Sequence, residues 1–343
     1  MHGARTMRAL LFVCGVMLTL SACGGSPASG GSFSRESSGS PSPAGSGGSG
    51  NGTAADTLTA GIWDDNLNFD LFTKYGEAQK RKLVDFTLQE QQAASTRARS
   101  ATTALDIALV VDTTGSMGDE IEWLKTEFKA LAADIAAAHP SVPQRWALVH
   151  YRDEGDAYLT RTEDFTSTTS TFQASLDQLA PGGGGDFPEA PDKALADADK
   201  LQWSSAASTA KLVFWVADAP PHDDDGPAFS AAVRALAQRG VHVYPVASSG
   251  IDEVTEHAMR ATAQLTLGRY VFLTDDSGVG GAHLEPTIPC YVVTKLKHAV
   301  ERVVDSELSG TRVAVDPAKV LRSVGTPVDG KCELESGATA HVF

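Results

Sequence analysis

Between residues 104 and 275 the chain alternates mostly apolar runs with segments of helical periodicity. The apolar runs, typical of strands buried on both faces, occupy residues 105–111, 145–151, 211–217, 241–246 and 269–273. Helical periodicity covers residues 117–138, 169–179, 189–201, 228–238 and 252–267. Residues 158–165 alternate between polar and apolar positions, which suits an edge strand. This order predicts an α/β fold with a Rossmann-like, doubly wound, mostly parallel sheet and helices on both faces.

The N-terminal residues carry signals for export. Two arginines precede an apolar run over residues 9–20, which is too short to span a bilayer and has the flanks of a signal peptide. The run ends in Leu-Ser-Ala-Cys at Cys23, which resembles the lipobox of bacterial lipoproteins. The resemblance implies cleavage after residue 22 and acyl chains, such as palmitate, on Cys23. Such chains anchor a protein outside the cytoplasm, on the cell membrane or the outer membrane. An ordinary secretory signal with a chance cysteine is the alternative.

The segment after Cys23 contains too few large apolar residues to form a hydrophobic core. Up to residue 54 it consists almost entirely of glycine, serine, proline and alanine, so we expect a flexible tether that reaches roughly 30 Å. A more polar segment follows, in which we expect Trp63 to pack against the main domain. We predict four further divisions of the chain: the tether over 23–54, a helical extension over 55–100, the main domain over 101–310 and a tail over 311–343.

Three loops next to predicted strands and helices contain polar residues that could bind a metal ion. They are Asp-Thr-Thr-Gly-Ser at 112–116, four glycines and an aspartate at 182–186, and Asp-Ala-Pro-Pro-His at 218–222. Because parallel strands end at a common edge, we expect these loops to converge there. They offer carboxylate and hydroxyl oxygens without a thiolate. Oxygen ligands of this kind suit a hard divalent cation, Mg²⁺ foremost and Mn²⁺ or Ca²⁺ as alternatives.

Taken together, the three loops resemble the metal-ion-dependent adhesion site of von Willebrand factor type A (VWA) domains. The first loop is similar to the Asp-x-Ser-x-Ser signature of that family, and the resemblance covers residues 104–308. It implies a protein ligand that binds the metal through an oxygen. The ligands of the metal would be Asp112, Thr114, Ser116, Asp186 and Asp218.

One of these positions departs from the family pattern. Asp186 stands where the family usually has a threonine, and Glu189 is a second candidate for the same corner. An additional carboxylate leaves the site with an excess negative charge after a divalent ion has bound. We therefore expect tighter metal binding and a weaker pull on an acidic partner than in a site with threonine.

The net charge limits the functions that the sequence favours, and the cysteines indicate how the exported chain is cross-linked. The formal net charge of −15 opposes binding to nucleic acid. Cys290 and Cys332 remain in the exported chain besides Cys23, and an oxidising compartment predicts a disulfide between them. Two free thiols are the alternative. A disulfide would join the tail to the start of the last predicted helix, near Tyr291.

The sequence favours binding over catalysis. It contains no Gly-x-Ser-x-Gly elbow, no phosphate loop and no His-Glu-x-x-His motif, so we predict that the chain is not an enzyme. The leading hypothesis is a membrane-anchored, extracytoplasmic protein-binding module of the adhesion type that uses a divalent cation. One alternative is a structural or assembly subunit of an envelope complex with a structural or degenerate metal site. A hydrolase with an unrecognised site is the other.

Overall fold

Five parallel strands form the centre of the sheet. A computed structural model describes residues 58–278 and 282–343. In their order across the sheet, the parallel strands are β3 (Gln144–Tyr151), β2 (Ala104–Asp112), β5 (Thr209–Ala217), β6 (Val241–Ala247) and β7 (Tyr270–Thr274). The edge strand predicted over residues 158–165 is also present, since β4 (Thr160–Thr166) pairs antiparallel with β3.

Helices cover both faces of the sheet, as the sequence predicts for an α/β fold. One face carries α3 (Gly118–Ala138), α4 (Thr169–Asp177) and α8 (Leu296–Ser309). The other carries α5 (Pro191–Asp199), α6 (Gly226–Gln238) and α7 (Glu253–Thr266). Strand β5 serves both cores with alternate side chains, because Phe214 faces the first group of helices and Trp215 faces the second.

The predicted signal peptide, the predicted lipidation site Cys23 and the predicted tether lie outside the described residues. Within residues 58–278 and 282–343, no helix combines the length and the apolar character needed to cross a membrane. Anchoring through lipid therefore stays a prediction from the sequence.

The segment predicted as a helical extension contains a strand of the main sheet. Strand β1 (Thr59–Trp63) lies between β7 and β8 (Tyr291–Lys295), antiparallel to both. Gly61 is required in this strand, because a Cβ there would lie 2.3 Å from Cζ of Phe272. Trp63 is fully buried, which confirms the packing expected of it. Two helices, α1 (Phe69–Ala78) and α2 (Leu88–Ser95), follow β1 and pack on α7.

Two buried aspartates directly after β1 fasten it to the rest of the domain. Asp65 accepts two hydrogen bonds from Arg260, from Nη2 at 2.8 Å and from Nε at 3.0 Å. Asp64 accepts from Nε of Arg312 at 2.7 Å and from Nε of Arg269 at 3.2 Å. Each carboxylate thus compensates at least one guanidinium group, as buried charges require. The N-terminal strand is an integral part of the domain.

Residues 269–273 end the series of strands predicted from the sequence, but further strands follow them in the structure. Strand β8 follows β7, and β9 (Arg322–Val324) pairs with β8 at the second edge of the sheet. The residues near Tyr291 therefore form a strand and not the start of a helix. The predicted disulfide is confirmed, with 6.4 Å between the Cα atoms of Cys290 and Cys332. It joins the start of β8 to a hairpin of β10 (Lys331–Glu333) and β11 (Thr339–His341).

Removal of this disulfide should destabilise the domain. The bond closes a loop with a sequence separation of 42 residues, and the loss of chain-entropy restriction predicts a decrease of about 4 kcal/mol in the free energy of unfolding of a Cys290→Ala/Cys332→Ala variant. Urea denaturation of both proteins measures the difference. The unmodified protein in reductant should behave like the double variant. An unchanged midpoint in both experiments would contradict a stabilising role.

Candidate metal-binding site

Two aspartates lie where neighbouring parallel strands end. Asp112 is the last residue of β2, and Asp218 directly follows β5, which pairs with β2 in parallel. The carboxyl ends of parallel strands form a common edge of the sheet, which we call the carboxyl rim. The structure therefore brings the first and third predicted loops together.

Side chains of the first loop lie beside these two carboxylates. Thr114 donates to Oδ1 of Asp112 from its backbone nitrogen at 2.8 Å and from Oγ1 at 2.7 Å. Burial raises the pKa of Asp218, and the nearby Ser116 side chain opposes this rise. Ser116 is exposed, whereas the other three side chains are buried. Four of the five predicted ligands thus meet at the carboxyl rim, and their role as ligands stays a prediction.

Backbone hydrogen bonds hold the second loop against the other two. The N–H of Gly182 donates to the carbonyl oxygen of Thr113 at 3.1 Å, which ties the second loop to the first. The N–H of Glu189 donates to the carbonyl oxygen of Pro220 at 2.9 Å, which ties the end of the second loop to the third. These hydrogen bonds therefore hold the three loops together.

Two glycines in the second loop adopt conformations that other residues avoid. Gly183 has a φ of +82° and Gly184 a φ of +74°, both in the left-handed region. A Cβ on Gly183 would also lie 2.3 Å from Oδ2 of Asp156. The same oxygen accepts a hydrogen bond from the N–H of Gly184 at 2.9 Å. The glycine run thus allows Asp156 to approach the loop backbone.

Glu189 lies buried beside the first loop, whereas Asp186 is exposed. Glu189 is 3% exposed. The position that a Cβ on Gly184 would take is 3.0 Å from Oε1 of Glu189 and 3.3 Å from Cβ of Thr114. Asp186 is exposed. Against the effect of burial, the hydrogen bond with Asp153 raises the pKa of His222, and the charge of Asp186 adds to the rise. Of the two candidates that the sequence offers for the threonine position, the geometry favours Glu189.

The buried carboxyl groups at the carboxyl rim repel one another. Burial raises the pKa of Asp112 to about 7, and the charge of Asp218 adds to the shift. Burial, together with the charge of Asp112, raises the pKa of Glu189 to about 9. Oδ2 of Asp112 and Oε2 of Glu189 are both buried without a hydrogen-bond partner. Such oxygens are stabilised by a proton or a cation.

The set of donors fits a hard divalent cation. Carboxylate and hydroxyl oxygens are the ligands that Mg²⁺ and Ca²⁺ prefer. In the described part of the chain, no three His, Cys, Asp or Glu side chains lie close enough together to hold an ion by themselves. Ligation at the carboxyl rim would therefore also need the hydroxyl groups of Thr114 and Ser116.

Glu120 is a buried carboxylate at this rim that is not among the ligands predicted from the sequence. It lies in the first turn of α3 and is 4% exposed. Its Oε1 accepts from the hydroxyl of Ser249 at 3.1 Å, whereas Oε2 is buried without a partner. Burial raises its pKa, and the charge of Asp218 contributes. Glu120 lies four residues before Leu124, so the helical spacing places both on the same face of α3. This spacing could have identified Glu120 as a residue on the buried face.

A chain of hydrogen bonds supports the first loop from the side of β3. The hydroxyl of Thr113 donates to the carbonyl oxygen of Tyr151 at 2.7 Å and is 2.6 Å from the hydroxyl of Tyr158. Tyr158 must therefore donate to Thr113, and it accepts from Nδ1 of His150 at 3.0 Å. Neutral His150 with its proton on Nδ1 can form this hydrogen bond.

Two arginines pack on the same tyrosine. Their guanidinium carbons lie 4.8 Å (Arg152) and 4.2 Å (Arg161) from the centre of the Tyr158 ring. Arg152 also reaches the second loop, since its Nη2 lies 3.3 Å from the position of a Cβ on Gly182. Positive charge therefore lies beside the acidic centre of the carboxyl rim.

Acid should destabilise the structure around His150. Burial, with the charges of Arg161 and Arg152, lowers the pKa of His150 from 6.5 to about 4. The unfolded chain therefore binds a proton at higher pH than the folded chain. Stability present above pH 6.5 is lost as the pH falls to about 4, by on the order of 2 kcal/mol for this group. His150→Asn retains a donor to Tyr158 and cannot be charged, so its unfolding free energy should fall less steeply over this range. Parallel slopes in urea denaturation at pH 7 and 4.5 would contradict the assignment.

Comparison with solved structures finds weak likenesses. The pilus adhesin SpaC of Lactobacillus rhamnosus GG gives a TM-score of 0.38 with 13% identity, over 53% of this chain and 30% of that chain. A conserved hypothetical protein, BatB from Bacteroides thetaiotaomicron, gives a TM-score of 0.40 with 13% identity, over 60% of this chain and 98% of that chain.

Comparison with curated sequences finds two partial relatives. A putative ariadne-like RING finger protein of Acanthamoeba polyphaga mimivirus is 33% identical over 118 residues, which are 34% of this chain and 11% of that protein. The alpha-protein kinase vwkA of Dictyostelium discoideum is 25% identical over 145 residues, which are 42% of this chain and 23% of that protein. The chain thus spans less than a quarter of the length of either relative.

A family comparison covers more of the chain. The model of the von Willebrand factor A domain matches residues 106–284. The match begins in β2 and includes all three loops of the carboxyl rim. It extends over just over half of the sequence, and the chain belongs to the von Willebrand factor A domain family.

Proposed function

We propose that this chain is a protein-binding module of the cell envelope that engages its partner through a divalent cation at the carboxyl rim. The observation that carries the proposal is the pair of buried carboxylate oxygens without partners, Oδ2 of Asp112 and Oε2 of Glu189. They lie beside the hydroxyl-bearing first loop of a VWA domain. A hard cation would compensate these charges, and Mg²⁺ is the expected ion.

Four residues would hold the ion with Glu189 beside them: Asp112, Thr114, Ser116 and Asp218. When bound, the ion supplies a positive charge and an open position that accepts an oxygen of the partner. Asp112 orients the Thr114 hydroxyl through the hydrogen bond at 2.7 Å. Once the ion replaces the proton of Glu189, this residue adds a third carboxylate, and the negative charges then exceed the charge of a divalent ion. This excess favours tight metal binding and weakens the attraction of an acidic partner.

The arginines beside the rim compensate part of that excess. Arg161 is exposed and Arg152 is half-buried next to the second loop. Guanidinium groups bind carboxylates in a planar, two-pronged geometry. An acidic surface on the partner could therefore contact the ion and these arginines together. We propose a partner that presents more than one carboxylate.

The proposed location follows from the N-terminal residues. A lipid on Cys23 would anchor the chain outside the cytoplasm, and the following tether would keep the domain roughly 30 Å from the membrane. Binding rather than catalysis is the proposed activity. That the chain is not an enzyme stays a prediction.

The main alternative is a structural or assembly subunit in which the ion only holds the loops together. The hydrogen bonds from Gly182 to Thr113 and from Glu189 to Pro220 already hold the loops in contact. An ion is therefore not required for this purpose, and the unpaired oxygens are better explained by ligand binding. This reasoning supports the binding role.

Chelation should release the partner without unfolding the domain. In a pull-down from an envelope extract, we expect the full-length chain to retain its partner in Mg²⁺ and to lose it in EDTA. Ser116→Ala should lose the partner even in Mg²⁺, because the hydroxyl would be a ligand, and its circular dichroism spectrum should be unchanged. Ser167→Ala, at an exposed serine after β4, is the matched control and should retain the partner. A partner retained in EDTA and by Ser116→Ala would argue for the structural alternative.

Calorimetry on two variants decides which acid belongs to the site. If Glu189 occupies the corner, Glu189→Gln should weaken Mg²⁺ binding by about tenfold or more, since the buried carboxylate loses its charge. Asp186→Asn, which makes the same change at an exposed position, should have a much smaller effect. The reverse result would restore Asp186 as the ligand expected from the sequence. Equal and negligible effects would exclude a third carboxylate from the site.

A further inference from the structure

The second loop of the carboxyl rim presents a large apolar side chain to solvent. This residue is Phe187, which is 42% exposed. In the described part of the chain, the other exposed large apolar residues are Leu88, Leu321 and Val328, which lie in α2 and in the C-terminal tail. Phe187 is therefore the exposed apolar residue of the loops that form the rim.

Chain geometry places Phe187 close to the candidate cation site. It lies two residues before Glu189, so their Cα atoms are at most about 7 Å apart. Three residues before Phe187, a Cβ on Gly184 would lie 3.3 Å from Cβ of Thr114. In an extended peptide, side chains on the same face are separated by about 7 Å. Phe187 is therefore within reach of a partner residue close to the one that binds the ion.

The residues around Phe187 form a strip with little charge. Residues 183–187 are all exposed, and Asp186 is the one ionisable side chain between Pro181 and Pro188. A Cβ on Gly185 would meet no other atom within 4 Å, so the glycine run is open to solvent there. By contrast, the neighbouring rim segments 152–156 and 222–225 consist mostly of charged residues. An apolar side chain of a partner would cover the strip without the desolvation penalty that charged segments impose.

The residues after Phe187 fix its backbone. Pro188 restricts the preceding residue to extended conformations. The N–H of Glu189 donates to the carbonyl oxygen of Pro220 at 2.9 Å, and Glu189 also forms a parallel bridge with Pro221. An aromatic ring on such a backbone loses little conformational freedom when it is covered. Aromatic residues are enriched at protein–protein interfaces, and Phe187 has the exposure and the position of such a contact.

We propose that Phe187 selects partner segments in which an apolar side chain lies within two residues of the carboxylate that binds the ion. This inference rests on the proposed function, because it takes the ion at the carboxyl rim as the point of attachment. The apolar side chain would pack on Phe187 and the glycine strip. Further carboxylates of the segment would contact Arg152 and Arg161. Phe187 thus determines specificity and is not a ligand of the metal.

Selection of displayed peptides tests this specificity. Random heptapeptides on phage are bound to the full-length chain in Mg²⁺ and eluted with EDTA. We expect the eluted sequences to combine an acidic residue with a leucine, isoleucine, valine or phenylalanine within two positions. Phe187→Ser should still select acidic peptides but should lose the apolar preference. Leu321→Ser removes an exposed apolar residue next to β9, at the second edge of the sheet, and should keep the preference.

The outcomes separate this inference from the proposed function. Acidic peptides without a neighbouring apolar residue, or an apolar preference that persists in Phe187→Ser, would overturn the inference and leave cation-dependent binding intact. A library from which EDTA elutes no peptide would overturn the proposed function and this inference with it.

Calorimetry with one selected peptide provides the second measurement. Phe187→Ser should bind the peptide at least about tenfold more weakly than the unmodified chain, whereas Leu321→Ser should bind it equally well. The affinity for Mg²⁺ alone should be the same in all three proteins, because the phenylalanine supplies no ligand. A reduced Mg²⁺ affinity in Phe187→Ser would show that the residue supports the site itself, which contradicts a role in partner selection.

Discussion

The direction of the helices relative to the sheet governs where charge is buried in this domain. In a doubly wound sheet the helices run antiparallel to the strands, so their positive N-terminal ends collect at the carboxyl rim and their negative C-terminal ends at the opposite rim, where the parallel strands begin. The buried acids Asp112 and Glu189 lie at the first of these rims. Arg97 and Arg99 donate to carbonyl groups at the C-terminal end of α7, at the second. The buried acids of the candidate site thus lie at the positive ends of the helices, whereas buried acids at the opposite rim, such as Asp64 and Glu307, are paired with arginines.

The pattern of apolar and polar residues predicts those strands and helices whose formation depends mainly on the residues within them. The run 211–217 is apolar on both faces because β5 lies between two layers of helices. Asp112 and Asp218 could be assigned to one site because each directly follows such a run, and adjacent parallel strands end together. The disulfide could be predicted because the chain offers only one further pair of cysteines to an oxidising compartment.

The remaining features depend on contacts between distant residues. Strand β1 has five residues with a glycine at its centre, and it is a strand because it pairs with β7, as Thr59 does with Thr274 across a separation of 215 residues. Glu189 is buried and Asp186 is exposed in a loop whose Gly183 and Gly184 adopt left-handed conformations. Sequence spacing contains no information on these conformations.

The placement of β1 has a mechanical consequence. Thr59 pairs with Thr274 at the end of β7, so the described chain enters the domain from the same rim that holds Asp112. A force between the residues before position 58 and a partner bound at Asp112 would therefore act between two points on one rim, across the direction of the strands. Such a force loads the ladders of β1 to β7 and β8 from their Thr59 end. The salt bridges of Asp64 and Asp65 lie at the far end of β1 and would still hold the strand after its first hydrogen bonds had broken.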